Sequence, residues 1–191
     1  MWGPWQVGNM TATEYAATAR KWAHGLKLVD PSIQLVSCGE TGWSDWDREV
    51  LQAVVPFVDH HSIHFYTMLG ADDGYEYEKN VFGPAAAERG IDIAAALVDL
   101  ANIDNTLRGF PAHKVKIAFD EWNVWDNRKA GAVDLEQTYD YSDMLGVCAW
   151  LNVLVRKHAV MDIACLAQSV NVIAPVMTNA TGFFRQTIFW P

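Results

Sequence analysis

Four short apolar runs alternate along this chain with segments in which apolar residues recur at helical spacing. The strand-like runs cover residues 33–38, 58–66, 115–119 and 161–166. A further helix is predicted ahead of the first run, because Thr11 and Glu14 have the spacing of a capping box before an apolar stripe. Strands that alternate with helices form parallel βαβ units, so we expect a parallel α/β sheet whose functional residues lie on the loops after the strands.

The helical stripes also predict which helix faces are buried. The stripe of the third helix comprises Ile93, Leu97, Leu100, Ile103 and Leu107, and that of the last helix comprises Met144, Cys148, Leu151 and Val155. Residues 70–83 are polar and aromatic and are predicted to form a loop. Of the nine tryptophans, Trp22, Trp150 and Trp190 are predicted to pack in the interior, and the others lie near turn signals.

Two architectures fit this order of elements. One is a small doubly wound sheet, although no Gly-rich phosphate-binding turn follows any of the predicted strands. The other is half of a (β/α)8 barrel, in which the chemistry gathers at the C-terminal ends of the strands. In both cases the loops after the strands are where functional side chains are expected.

Charge and hydrophobicity narrow the classes of partner. Fourteen Lys and Arg against 23 Asp and Glu give a formal net charge of -9, which disfavours nucleic acid because its phosphates would be repelled. No stretch approaches the roughly 18 to 20 uninterrupted apolar residues of a membrane-spanning helix. The three cysteines lie within apolar runs and are expected to be buried free thiols, not a disulfide framework or a zinc site.

The third predicted strand is followed directly by two carboxylates, Asp120 and Glu121. Side chains alternate across a strand, so the two must point to opposite sides, and Glu121 shares a face with Phe119. A carboxylate at the mouth of a barrel, with Trp122 and Trp125 beside it, is typical of a glycosidase nucleophile or stabiliser. A strand-end carboxylate that caps a loop is the alternative.

The second strand ends in a His- and Tyr-containing sequence. By the same alternation His60, His64 and Tyr66 share a face, which places His64 and Tyr66 together near the end of the strand. A metal site is disfavoured because His60 and His64 would lie about 13 Å apart, at about 3.3 Å per residue. We therefore expect His64 and Tyr66 either to hydrogen-bond a substrate or to have a structural role. Gln168 interrupts an apolar run and is expected to be either a satisfied core amide or a ligand contact.

Five motifs, taken together, resemble those of the family 51 α-L-arabinofuranosidases. They are Gly3-Pro4-Trp5-Gln6, His64-Phe65-Tyr66, Phe119 to Trp125, Gln168 to Pro175 and Arg185 to Phe189, and their order and spacing match the family. The resemblance implies a (β/α)8 barrel joined to a β-sandwich. It also implies retaining hydrolysis of terminal α-L-arabinofuranosyl groups from arabinan, arabinoxylan and related polymers.

The resemblance assigns roles to individual side chains. It gives the nucleophile as Glu121, the substrate-binding residues as His64, Tyr66 and Gln168, and two aromatic positions around the sugar pocket as Trp5 and Trp125. It implies no metal and no cofactor. The expected partners are arabinose-containing polysaccharides and oligosaccharides, and a homo-oligomer is compatible with the family pattern.

One departure from the family concerns the second carboxyl group. The family's acid/base Glu lies in an Asn-Glu pair just ahead of the Gly-Pro-Trp motif, where this sequence has Met1-Trp2. We therefore expect a fragment that comprises barrel strands five to eight over residues 1–181, with residues 182–191 leading into a β-sandwich. Retaining hydrolysis needs two carboxyl groups, so the fragment by itself is expected to be inactive.

Three interpretations of function follow from the residues and the resemblance. The first is a fragment of an active arabinofuranosidase, the second is another retaining barrel glycosidase such as a β-xylosidase or endoglucanase, and the third is a non-catalytic remnant that keeps some sugar binding. Polymeric substrates and two N-glycosylation sequons, at Asn9 and Asn179, favour secretion, with a cytoplasmic location as the alternative.

Overall fold

The computed structural model describes residues 2–68, 76–125 and 135–191, and it gives no side-chain placement for Met68 and Glu76. The helices are α1 (Ala12–Val29), α2 (Asp45–Val54), α3 (Glu76–Phe82), α4 (Pro84–Leu107) and α5 (Tyr141–Arg156). The strands are β1 (Val36–Ser37), β2 (His60–Met68), β3 (Lys116–Trp125), β4 (Met161–Leu166), β5 (Val176–Asn179) and β6 (Gly182–Arg185), and a 3-10 turn covers Thr187–Phe189. None of the helices in these ranges is long and apolar enough to cross a membrane.

The chain divides into two compact units. The first unit comprises Met1–His64, Gly90–Phe119 and Val160–Ile163, and the second comprises Phe65–Arg89, Asp120–Ala159 and Ala164–Pro191. The division falls inside β2, β3 and β4, so the second unit holds the C-terminal portions of these strands and the loops that follow them.

The main sheet has its strands in the order β1, β2, β3, β4. In the first unit Val36 pairs in parallel with His60, and the Ile117 N–H donates to the Val160 carbonyl at 2.9 Å. In the second unit the Ala167 N–H donates to the Trp122 carbonyl at 3.1 Å. The predicted α/β architecture with a parallel sheet is therefore confirmed.

The core of the first unit forms where α1 and α2 pack together. Its fully buried members are Val50, Leu51, Val54 and Val55. The predicted capping box is present, since the Thr11 side chain accepts from the Glu14 N–H and the Glu14 carboxylate accepts from the Thr11 N–H. These bonds satisfy amide groups that a helix start leaves without a partner.

In the second unit, Trp150 of α5 lies against the C-terminal portions of β2 and β3. Its ring centroid is 5.5 Å from that of Trp122 and 6.0 Å from that of Phe65, and its Nε1–H donates to Thr67 Oγ1 at 3.0 Å. The predicted packing role of Trp150 is confirmed, because the side chain is fully buried. Since side chains alternate along a strand, the residues between these contacts point away from α5.

The predicted buried faces of two helices are only partly correct, since Leu97 packs against the core of the first unit but other members of the two stripes are exposed. The exposed side of α4 carries Leu100, Ile103 and Leu107, and the buried side carries the small or slender residues Ala87, Gly90, Ile91, Ala94, Val98 and Ala101. A Cβ at Gly90 would lie 2.6 Å from the Trp43 ring, so this side allows a close approach that a leucine stripe would prevent. In α5 the buried side is Asp143, Gly146, Val147, Trp150, Val153 and Leu154, and Val155 is exposed.

Several smaller expectations also differ from the structure. Trp22 is 67% exposed and Trp190 65% exposed, so neither packs in the interior described here, whereas Trp46 and Trp122 are buried within regular elements. The thiol of Cys165 is free but exposed, and those of Cys38 and Cys148 are half-buried.

Some boundaries of helices and strands also differ from the predicted ones. Within the predicted loop at residues 70–83, residues 76–82 form α3, and residues 69–75 lie outside the described part of the chain. The third strand continues to Trp125, so Glu121 lies inside β3 and not after its end. The hairpin of β5 and β6 lies in a segment for which no strands were predicted.

Candidate active site

Two of the predicted site residues are in direct contact in the second unit. The Tyr66 hydroxyl, from β2, donates a hydrogen bond of 2.6 Å to Oε1 of Glu121, from β3. Both side chains occupy the strand face opposite to the one that packs on α5, since their neighbours Thr67 and Trp122 contact Trp150. Burial, together with the hydrogen bond and the charge of Glu121, raises the pKa of Tyr66 well above its ordinary value. The phenol is therefore a hydrogen-bond donor throughout the neutral range.

Trp125 packs against Tyr66 beside this pair. Its ring meets the Tyr66 ring edge to face, with centroids 5.6 Å apart and an interplanar angle of 68°. Its indole Nε1–H is buried and has no hydrogen-bond partner among the described residues. An indole donor beside a carboxylate matches the chemistry of sugar hydroxyl groups, which accept hydrogen bonds.

Gln168 lies on the loop after β4. It is exposed and lines a surface depression together with Asp120, Glu121, Leu166, Ala167, Ser169 and Val170. The structure thus brings Gln168 and Glu121 to one concave surface, although the strands that carry them are distant in sequence. Asp120 contributes to the same depression, so the alternation of side chains does not remove it from the neighbourhood of Glu121.

His64 and Trp5 belong to the first unit. His64 is half-buried, its Nε2 lies 3.1 Å from Ser62 Oγ, and its backbone N–H donates to the Glu40 carbonyl at 2.7 Å. The contact with Ser62 agrees with the predicted alternation along β2. Trp5 is 72% exposed and packs edge to face on Trp2 at 5.3 Å. The roles that the sequence predicts for His64 and Trp5 remain predictions.

Comparisons with known proteins fit this arrangement. A family model described as the alpha-L-arabinofuranosidase C-terminal domain matches residues 120–191. A probable alpha-L-arabinofuranosidase C of Aspergillus fumigatus is 47% identical over 100% of this chain and 39% of its own length. Over its whole length the chain therefore resembles the family 51 α-L-arabinofuranosidases.

Two solved structures of α-L-arabinofuranosidases share its fold. The enzyme of Thermotoga maritima, in an arabinose complex, has a TM-score of 0.82 at 32% identity, over 98% of this chain and 36% of that one. A family 51 enzyme of Bifidobacterium longum has a TM-score of 0.86 at 26% identity, over 100% of this chain and 42% of that one. The chain thus spans about two fifths of the length of these relatives and matches their C-terminal part.

Sequence reasoning missed one polar residue close to Glu121. Asn123 is fully buried in β3, and its side chain bonds the main chain on both sides of the Gln168 loop. A detectable signal was present, because an amide two residues after Glu121 lies on the same strand face and cannot be buried without partners.

A second missed cluster lies in the first unit. Nε2 of His61 is 3.1 Å from Asp47 Oδ1, and its Nδ1 is 2.8 Å from Ser37 Oγ. The three residue types are those of a nucleophilic triad, but all three side chains are buried, so a substrate has no access to Ser37. Asp47 also accepts from the backbone N–H groups of Glu40 and Gly42, at 2.7 and 2.8 Å. The cluster therefore fixes the loop after β1.

Metal ligation finds no support in the described ranges. In residues 2–68, 76–125 and 135–191, no group of three His, Cys, Asp or Glu side chains is close enough to hold an ion.

Proposed function

We propose that this chain contributes the nucleophile to a retaining α-L-arabinofuranosidase that releases terminal α-L-arabinofuranosyl groups from arabinan- or arabinoxylan-type polysaccharides. The observation that carries the proposal is the hydrogen bond from Tyr66 to Glu121, which holds one oxygen of a strand-borne carboxylate at a concave surface. The names of the relatives supply the sugar, since the proteins of Aspergillus fumigatus and Thermotoga maritima are named α-L-arabinofuranosidases.

In the proposed reaction Glu121 forms a covalent bond with the sugar. A carboxylate oxygen of Glu121 attacks the anomeric carbon as the bond to the leaving oxygen breaks, and a second carboxylic acid protonates that oxygen. Water then attacks the glycosyl-enzyme, the second carboxylate accepts its proton, and Glu121 is released as a carboxylate. Two inversions leave the anomeric configuration unchanged.

The second carboxyl group is not assigned to a residue of this chain. The 191 residues contain no Asn-Glu pair, which is where the family resemblance puts the acid/base. Retaining glycosidases hold their two carboxyl groups about 5 to 5.5 Å apart, so the partner of Glu121 has to approach it from another part of the active site. We therefore expect the 191-residue chain by itself to leave even an activated aryl arabinofuranoside intact.

The architecture proposed for the complete catalytic domain is a (β/α)8 barrel in which β1 to β4 are strands five to eight. Parallel strands in sequential order support it, as does the position of Tyr66, Glu121 and Gln168 on C-terminal strand portions and the loop after β4. Active sites of such barrels lie at that end of the strands. The role proposed for Gln168 is to bind sugar hydroxyl groups, with Trp125 as an aromatic wall.

Replacement of Glu121 tests this proposal. The polypeptide expressed from the complete coding sequence should hydrolyse an aryl α-L-arabinofuranoside, and Glu121→Ala should lower kcat by at least about 10⁴-fold. Added azide should restore part of the turnover and yield the β-configured arabinofuranosyl azide, because azide attacks from the side of the lost carboxylate. Asp120→Asn is the comparison within the same depression, and it should lower kcat much less than Glu121→Ala does because Asp120 is not the proposed nucleophile.

The outcomes separate the competing functions. Hydrolysis of aryl xylosides or cello-oligosaccharides in preference to the arabinofuranoside would identify another retaining glycosidase. Equal losses in Glu121→Ala and Asp120→Asn, without azide rescue, would contradict the nucleophile assignment. Absence of any hydrolysis by the protein from the complete coding sequence would contradict the catalytic proposal.

A further inference from the structure

The side chain of Asn123 connects β3 to both ends of the loop that carries Gln168. Its Nδ2 donates at 2.7 Å to the Ala167 carbonyl and at 2.7 Å to the Ile173 carbonyl, the residues on either side of the segment 168–172. Its Oδ1 accepts from the Val124 N–H at 2.8 Å. Because the side chain is fully buried, loss of these bonds would leave buried polar groups without their partners.

The loop between these two carbonyl groups has a backbone that needs support. Asn171 has φ of 63° and Ile173 has φ of 38°, both in the left-handed region. For a β-branched residue such as Ile173 this region is sterically unfavourable, so the surroundings must hold it there. Asn123 contacts the carbonyl of this same residue, and the Ile173 N–H donates to the Leu135 carbonyl at 2.7 Å.

A second buried amide stabilises the other side of this region. Nε2 of Gln186 donates to the Ala174 and Gln137 carbonyls at 2.8 and 2.9 Å, and its Oε1 accepts from the Tyr139 N–H at 3.0 Å. Gln186 therefore holds the chain after Ile173. Asn123, in contrast, contacts both ends of segment 168–172.

The position of Asn123 on β3 couples this loop to the nucleophile. Glu121 and Asn123 are two residues apart in one strand and lie on the same face, about 6.6 Å apart along it at about 3.3 Å per residue. A single rigid strand thus presents the carboxylate and, through Asn123, fixes the loop of Gln168. Both amide hydrogens are in use, so an aspartate of the same shape would place oxygen atoms against two carbonyl oxygens.

We propose that Asn123 is a positioning residue that sets the distance between Gln168 and the Glu121 carboxylate for substrate binding. The inference rests on the proposed function, because Gln168 is given a sugar-binding role there. The inference adds Asn123 to the proposed site as a residue that contacts no substrate and acts through the loop that carries Gln168. Misplacement of a binding group by about 1 Å can cost about 100-fold in rate, so loss of the two bonds should be visible in kinetics.

The first test is a double-mutant comparison in the protein from the complete coding sequence. Asn123→Asp and Gln168→Ala should each lower kcat/KM for an aryl arabinofuranoside by about 10- to 100-fold. The double variant should lose no more than the more impaired single variant, because Asn123 acts through Gln168. Multiplied losses would show that Asn123 acts elsewhere and would overturn the proposal.

The matched control is Asn105→Ala in the first unit. Asn105 is likewise a buried amide, and it donates to the Ala101 and Gln52 carbonyls at 2.8 and 3.3 Å. Asn105→Ala should lower the melting temperature about as much as Asn123→Asp does, while its kcat/KM stays within about twofold of wild type. An equal kinetic loss in Asn105→Ala would mean that general destabilisation, not loop position, explains the effect, and would overturn the proposal.

The second test does not depend on activity. Amide hydrogen exchange at residues 171–173 should accelerate by about tenfold or more in Asn123→Asp and remain unchanged in Asn105→Ala, because only the former releases the loop. If Asn123→Asp does not fold, Asn123→Ser, which keeps one donor on a shorter side chain, is measured in the same way. Unchanged exchange at residues 171–173 in the variant overturns the positioning role of Asn123. If exchange accelerates but the wild-type protein has no glycosidase activity, the positioning role is supported and only the proposed function is rejected.

Discussion

The Tyr66 hydroxyl donates a hydrogen bond of 2.6 Å to Oε1 of Glu121, between two strands that are 55 residues apart at these positions. A hydrogen bond to an ionised carboxylate is stronger than one between neutral groups. It fixes the orientation of the Glu121 side chain in the second unit, and the edge-to-face contact with Trp125 fixes the Tyr66 ring in turn. The nucleophile proposed here is therefore oriented before substrate arrives.

Tyr66→Phe is expected to reduce turnover without unfolding the protein. Hydrogen bonds to charged groups contribute about 1.5 to 3 kcal/mol, so kcat for an aryl arabinofuranoside should fall by roughly 10- to 100-fold. Tyr141→Phe removes a hydroxyl from an exposed tyrosine at the start of α5 and should leave kcat unchanged. Steady-state kinetics of the two variants would contradict the account if Tyr66→Phe retained wild-type kcat.

Asp47 should be the most sensitive carboxylate for stability in the first unit. Burial alone would raise the pKa of Asp47, but hydrogen bonds from His61, Glu40 and Ser44 and the charge of His61 hold it below the ordinary value. Asp47→Asn replaces an acceptor oxygen by a donor and should lower the free energy of unfolding by about 2 to 4 kcal/mol. Asp45→Asn, at an exposed neighbouring position, should change it by less than about 0.5 kcal/mol in urea titrations.

The same carboxylate gives a pH dependence of known sign. A lowered pKa in the folded state means that the contribution of Asp47 is present above its unfolded pKa of about 3.9 and is lost as the pH falls through the lower folded value. Urea titrations between pH 5 and pH 2.5 should therefore show a steeper loss of stability for wild type than for Asp47→Asn. Parallel curves would contradict the role assigned to this carboxylate.

The edges of the main sheet should make the isolated 191-residue chain self-associate. β1 and β4 are the outer strands among the described residues, and Val36, Ala164 and Cys165 on them are exposed. Unpaired edges with apolar side chains favour edge-to-edge pairing, and lysine on an edge opposes it. Val36→Lys combined with Ala164→Lys should shift the chain towards monomer in size exclusion with light scattering.

Val155→Lys provides the control for this shift. Val155 is exposed on a helix and not on a strand, so its replacement changes charge and apolar surface without blocking strand pairing. It should leave the association state as it is in wild type. A compact monomer of the wild-type chain at tens of micromolar concentration would contradict the edge argument.

Patterns of local spacing were sufficient to predict most elements of this fold. The capping box at Thr11 identified the start of α1, and the apolar run at residues 161–166 coincides with β4. Helix faces were predicted less well, because the stripe ending at Leu107 is the larger apolar face of α4, whereas packing selected the face with Gly90 and Ala94. Close approach of backbones favours small residues, which a search for large apolar side chains overlooks.

The candidate site could be predicted where one strand carried the signal. Alternation along β3 predicted the strand face of Glu121, but it did not predict that Asp120 lines the same depression. The pairing of Tyr66 with Glu121 needed the family resemblance and the neighbouring strand order as well. Asn123 was missed because its partners, the carbonyl groups of Ala167 and Ile173, are main-chain atoms more than 40 residues away. The sequence shows that an amide on this strand face needs buried partners, but it does not show which main-chain atoms those partners are.

Covalent trapping of the nucleophile tests the central claim most directly. The protein from the complete coding sequence is incubated with an activated 2-deoxy-2-fluoro-α-L-arabinofuranoside, whose glycosyl-enzyme is slow to hydrolyse because fluorine disfavours the positively charged transition state. Trypsin releases residues 117–128, which contain both Asp120 and Glu121, and tandem mass spectrometry distinguishes the two. The account predicts a near-stoichiometric fluoroarabinosyl ester on Glu121, whereas a label on Asp120 or on another peptide, or turnover with inversion and no label, would contradict it.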